Sequence, residues 1–80
     1  MNYDYKELIK DLNMGREIEF IYNHERYYIG YGRGKSMFWR FNDSTSEIEG
    51  ENVEDLLQKI KLDGKLIIEV WDLIKIDIIF

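Results

Sequence analysis

From Glu17 to Asn42 the chain reads EIEFIYNHERYYIGYGRGKSMFWRFN: three short runs of alternating character separated by turn residues. Ile18, Phe20 and Tyr22 alternate with Glu17, Glu19 and Ile21, the period of two expected of a half-buried strand. Asn23-His24-Glu25 is a turn. A second strand over residues 26–31 sets Tyr27, Ile29 and Tyr31 on one face, with Tyr28 and Gly30 on the other. Gly32-Arg33-Gly34-Lys35 turns the chain again, its glycines supplying the positive φ that tight turns need. The third strand, residues 37–42, is read with Met37, Trp39 and Phe41 on the core side and Phe38 and Arg40 opposite. By this parity the outward face of the sheet collects Glu19, Ile21, Tyr28, Gly30, Phe38 and Arg40.

Working outward, Asp43-Ser44-Thr45-Ser46 is a further turn. Glu47-Ile48-Glu49 is a short edge strand whose charges discourage edge-to-edge pairing. Upstream, Asp4 and Glu7 form the N-terminal signature of a short amphipathic helix carrying Tyr5, Leu8, Ile9 and Leu12, and Gly15 stops it. Downstream, Asn52 caps a helix with Val53, Leu56, Leu57 and Ile60 on its apolar side, and Asp63-Gly64 breaks it. Residues 65–74 fit a helical stripe through Leu66, Ile67, Val70, Trp71 and Ile74, and fit a strand through Leu66, Ile68 and Val70. The helix is favoured because Asp63 is a good N-cap. Residues 76–80 read as a short strand or as an apolar tail tucked against the core. The expected fold is α+β: an antiparallel meander of three to four strands, with an N-terminal helix and one or two C-terminal helices on one face. It forms a single domain over residues 1–80.

Composition narrows the function. Eighty residues bury only about 60% of the unfolded surface, so the stability margin is thin. Six Tyr, four Phe and two Trp argue against disorder. Without cysteine there is no disulfide framework, thiolate zinc site or thiol nucleophile. Charges interrupt the first twenty residues too often for a signal peptide, and the longest apolar runs are triplets, so a cytoplasmic protein without a membrane span is expected. His24 is the single histidine and sits in a turn, with no local pattern offering both an orienting carboxylate and a nucleophile. No metal site, cofactor or catalytic residue is expected. The glycine-rich run from Gly30 to Lys35 leads from strand to strand, whereas phosphate-cradling loops lead into a helix, so it reads as a hairpin turn.

The net charge of −5 is unevenly spread. Between Arg26 and Arg40 lie Arg26, Arg33, Lys35 and Arg40 and no acid. Between Asp43 and Asp55 lie Asp43, Glu47, Glu49, Glu51, Glu54 and Asp55 and no base. These are either two solvated surfaces that attract each other, or an acidic face that steers a basic protein surface toward it. The outward sheet face is either an interface anchored by Tyr28, Phe38 and Arg40 or is covered by residues 76–80. Aromatics interleaved with Arg33, Lys35 and Arg40 also suggest a stacking platform for single-stranded nucleic acid, although few phosphates would be neutralised by so acidic a chain.

The run Gly15-Arg16-Glu17-Ile18-Glu19-Phe20-Ile21-Tyr22-Asn23, followed by Tyr28-Ile29, resembles a pattern in short uncharacterised proteins of Gram-positive bacteria and their prophages. A second signature resembles theirs at Glu54-Asp55-Leu56-Leu57, at residues 60–65 and at Val70-Trp71; Ile68, Leu73 and Ile74 stand where more polar positions are expected. The resemblance implies no activity and no catalytic residues. It implies a mobile-element setting, in which small acidic domains bind and silence other proteins. The expectation is thus a non-enzymatic protein-binding module, an inhibitor or immunity-type protein. Glu47, Glu49, Glu51, Glu54 and Asp55 would meet a basic partner, and Tyr28, Phe38 and Arg40 would anchor it. Weak nucleic-acid binding is the alternative, and a homodimer is a further possibility.

Overall fold

Two-residue turns set the register of the sheet. In the computed structural model, which describes residues 3–80, β1 (Ile18–Tyr22) and β2 (Glu25–Gly32) are joined by Asn23 and His24 at φ of +50° and +67°. β2 and β3 (Lys35–Arg40) are joined by Arg33 and Gly34 at +54° and +77°. Positive φ at both central residues marks the type I′ turn, whose twist matches that of the strands it joins. Such a turn leaves Tyr22 opposite Glu25 and Gly32 opposite Lys35, and all other pairs follow: Ile18 with Ile29, Phe20 with Tyr27, Ile29 with Phe38.

β4 (Asp43–Gly50) pairs with β3, and β5 (Lys75–Ile79) pairs with β1, giving an antiparallel five-stranded sheet in the order β4-β3-β2-β1-β5. α1 (Tyr5–Asn13) begins where the Asp4 carboxylate accepts the Glu7 N–H at 2.9 Å. α2 (Val53–Lys59) begins where Asn52 Oδ1 accepts the Asp55 N–H at 2.8 Å. Both caps satisfy N–H groups that have no partner inside the helix. A 3₁₀ segment (Ile67–Leu73), bent at Val70, leads into β5. No helix among the described residues is long and apolar enough to cross a membrane.

Helices and inner sheet face share one core. Leu8 and Leu12 from α1, Val53, Leu56 and Leu57 from α2, and Ile67 and Val70 from the 3₁₀ segment close on Ile18, Phe20, Ile29 and Phe38. Across the middle strands Phe20, Tyr27 and Phe38 stack in a row, with ring centroids 5.2 and 5.6 Å apart. Burying such side chains is the main favourable term in folding. Trp71 meets Tyr5 edge-on at 5.5 Å, fastening the 3₁₀ segment to α1.

Several expectations are corrected. Phe38, read as outward, lies in the core at 4% exposure, while Met37 and Trp39 fall on the opposite face, Met37 buried there and Trp39 half-exposed. The reason is the turn: an even number of residues between the two strands, whether counted as two or four, puts Phe38 opposite Ile29. Residues 76–80 do not cover the outer face; Ile76 and Ile79 lie opposite Phe20 and Ile18 as part of a fifth strand. Asp63 is not a cap. With Gly64 it forms a positive-φ turn between Leu62 and Lys65, and the cap position of the 3₁₀ segment is Leu66, whose N–H donates to Glu69 Oε1 at 2.8 Å. β4 is longer than expected, running back to Asp43.

Gly50 ends β4 where α2 crosses it, and a Cβ there would lie 2.5 Å from Leu56 N and 2.6 Å from Leu56 Cα. Backbone cannot swing aside as a side-chain tip can. Gly50→Ala is expected to destabilise the fold by about 2 kcal/mol, read as a lower urea midpoint with an unchanged slope.

Candidate functional site

All helices pack on the inner face, so the outer face of the sheet carries none. At its centre Tyr28 and Trp39, directly opposite in register, stack with centroids 4.1 Å apart and planes 17° from parallel. Stacked aromatic pairs add to the burial of their area. Tyr28 also lies over Gly30, occupying the space a Cβ there would need. Its hydroxyl donates to Glu17 Oε1 at 2.9 Å. Burial, and then this bond, push the phenol up to about 12. The pair is half-buried rather than covered.

Beside the stack, Arg26 reaches Asp77 at 2.7 Å and Glu19 at 3.0 Å, with its guanidinium 5.9 Å from the centre of the Phe41 ring. Asp77, then Glu19, hold the Arg26 charge more firmly than in water. This cluster ties β5 to β1 and β2 across the outer face. Lys35 meets Glu51 at 2.9 Å and Arg40 meets Asp43 at 2.6 Å. Of the four bases between Arg26 and Arg40, only Arg33, in its turn, makes no ion pair among the described residues.

The acidic stretch divides in the same way. Asp55 accepts the Glu51 N–H at 2.9 Å and meets Lys59 at 3.0 Å; the Glu51 amide, then Lys59, hold its carboxyl below the usual range. Asp43 is likewise held low, first by the Thr45 hydroxyl at 2.6 Å, then by the Thr45 N–H and Arg40. Lys59 also donates to the Glu49 carbonyl at 3.2 Å. Glu47, Glu49 and Glu54 are exposed and make no ion pair among the described residues. Glu49 lies opposite Met37, on the outer face. Glu47, which lines a groove with Trp39, and Glu49 therefore form a carboxylate rim along β4 next to the Tyr28–Trp39 stack, while Glu54 stands at the start of α2, which packs on the inner face.

Of the residues expected to anchor a partner, Tyr28 is in place, Phe38 is in the core, and Arg40 is bound to Asp43. Trp39 was missed. The signal that would have found it was the even number of residues in the Gly32–Lys35 turn, which sets Phe38 opposite Ile29 and therefore Trp39 opposite Tyr28. An open groove at the β3–β4 end is lined by Trp39, Arg40, Asn42, Asp43, Ser44 and Glu47. Another near His24 includes Tyr22, whose hydroxyl donates to Asp63 Oδ2 at 2.9 Å. No group of three or more His, Cys, Asp or Glu among the described residues is placed to hold a metal ion.

Compared with protein-family models, with curated proteins and with solved structures, the chain matches none.

The two lowered aspartates set an acid limb to stability. A carboxyl whose pKa is depressed by folding contributes stability that is fully present above its unfolded value, about 3.9, and is lost as pH falls through the folded value. The urea midpoint should fall as pH drops below about 4, and the Asp43→Asn, Asp55→Asn double variant should show a shallower fall over that interval.

Proposed function

We propose that this chain is a non-enzymatic protein-binding module that acts by occupying a surface of another protein. The observation that carries the reading is the helix-free sheet face, where the Tyr28–Trp39 stack sits beside the unpaired carboxylates of Glu47 and Glu49 on β4, with Glu54 adding negative charge from the start of α2. Tyr and Trp are the residue types that most often anchor interfaces, because they offer large rigid area at low entropic cost. The carboxylate rim supplies the complementary field that speeds encounter with a basic surface. Glu51 and Asp55, already held by Lys35 and Lys59, contribute less of that field than the other three. The resemblance to prophage proteins of Gram-positive bacteria makes an inhibitor or immunity-type role in the cytoplasm the natural setting.

Nucleic acid is a poorer fit. Phosphate binding draws its strength from released counterions, and Arg26, Lys35 and Arg40 already have carboxylate partners within 3.0 Å. Glu17 and Glu19 flank the stack and would repel a phosphate backbone.

The test is capture from a Gram-positive lysate on the immobilised chain, eluted by salt. A stoichiometric basic protein is expected. Its association rate should drop about tenfold at low salt for the Glu47→Gln, Glu49→Gln, Glu54→Gln triple variant, and Tyr28→Ala should speed its release. Capture insensitive to both changes, in variants whose circular dichroism is unaltered, would overturn the reading.

A further inference from the structure

The β3–β4 hairpin does not close evenly. Phe38 pairs with Ile48, but the next pair toward the turn is Arg40 with Asp43, so Trp39 alone spans the distance covered on β4 by residues 44–47. The surplus chain opens a groove of about 540 Å³ walled by Trp39, Arg40, Asn42, Asp43, Ser44 and Glu47. We propose that this groove is a recognition pocket for an arginine side chain of a partner protein, an inference that rests on the protein-binding reading above and assigns its cationic contact.

Three features support this. First, the loop is held in shape by its own bonds. The Arg40 N–H donates to Ser46 Oγ at 2.7 Å, the Ser46 hydroxyl donates to the Asp43 carbonyl at 2.7 Å, and Asp43 Oδ1 accepts the Thr45 N–H at 3.1 Å. A wall ordered before binding loses little entropy when a ligand enters. Second, the charges are unbalanced in one direction. Arg40 is matched by Asp43 at 2.6 Å, which leaves the Glu47 carboxylate as the one unmatched charge in the lining. An anionic guest would meet repulsion there and an apolar one would gain nothing from it. Third, the indole of Trp39, fixed on one side by Tyr28, brings an aromatic wall to the same groove. A planar guanidinium can stack on an indole while its N–H fork meets a carboxylate; a lysine ammonium, compact and strongly hydrated, uses only one of these contacts well.

The experiment follows the two indole N–H signals of the intact protein by nuclear magnetic resonance during titration with acetyl-Gly-Arg-Gly-amide. The matched citrulline peptide, with the same shape and no charge, is the comparison. Trp71, packed against Tyr5 on the far side of the sheet, serves as the internal reference. The Trp39 signal is expected to move in a saturable way with the arginine peptide and not with citrulline, while Trp71 stays in place. Glu47→Gln should weaken the arginine response about threefold to fivefold. A Trp39 signal that ignores the arginine peptide, or that moves equally with citrulline, would overturn the pocket. If lysate capture still depends on Tyr28 and the β4 carboxylates, that result removes the pocket and leaves the broader reading intact. Conversely, an arginine-specific shift alongside capture that ignores those residues supports the pocket and removes the broader surface.

Discussion

The hairpin turns at Asn23-His24 and Arg33-Gly34 are the constraint on which the remaining structure depends. Side chains in a strand alternate faces, so a register shift of one residue exchanges the inside of the sheet for the outside. With two central residues at positive φ in each turn, Phe20, Tyr27 and Phe38 fall on one face and stack into the core. Tyr28 and Trp39 then fall on the other and stack in the open. The same placement frees Gly30 to receive the Tyr28 ring. A bare strand glycine is a weak point, and an aromatic laid across it restores the missing contact.

Electrostatics builds on that register. Arg26 emerges on the outer face between β1 and β3, where it can reach Glu19 on one neighbour and Asp77 on the added edge strand. Exposed pairs of this type contribute little individually. Their larger consequence is subtractive: each base held by a neighbouring carboxylate is one that a phosphate backbone cannot use. Between residues 26 and 55 what survives as unmatched charge, Arg33 apart, is negative and lies on β4 and the start of α2, and the proposal of a basic protein partner rests on that balance. The two sheet edges also differ. The β4 edge carries Glu47 and Glu49 beside the opened hairpin. The β5 edge is interrupted by a bulge at Asp77, a device that discourages further strand pairing.

Much of the local structure was legible because its causes are local. Asp4 and Asn52 cap their helices through side chains that reach N–H groups three residues on, and no distant contact is needed for that. Alternation in residues 17–31 gave the first two strands their faces, since Ile18, Phe20, Tyr27 and Ile29 are apolar where the core requires it. The third strand misled because Met37, Phe38, Trp39 and Phe41 are all large and apolar. The charged residue among them, Arg40, pairs with Tyr27 on the Phe38 face and so marks the wrong side, and parity had to come from the turn.

What the sequence by itself determined is therefore the α+β class, the central antiparallel hairpins, both helix starts and the separation of acidic from basic stretches. Each follows from propensity, capping or charge within a few residues. Only the tertiary structure decided the last segment and the site. Residues 75–79 become a strand because β1 presents an unpaired edge, and residues 67–73 become a 3₁₀ turn because Ile67 and Val70 must reach the core ahead of that strand. The Trp39 groove likewise arises where two strands of unequal length are forced to pair. These outcomes depend on partners far away in the chain, and no local pattern encodes them.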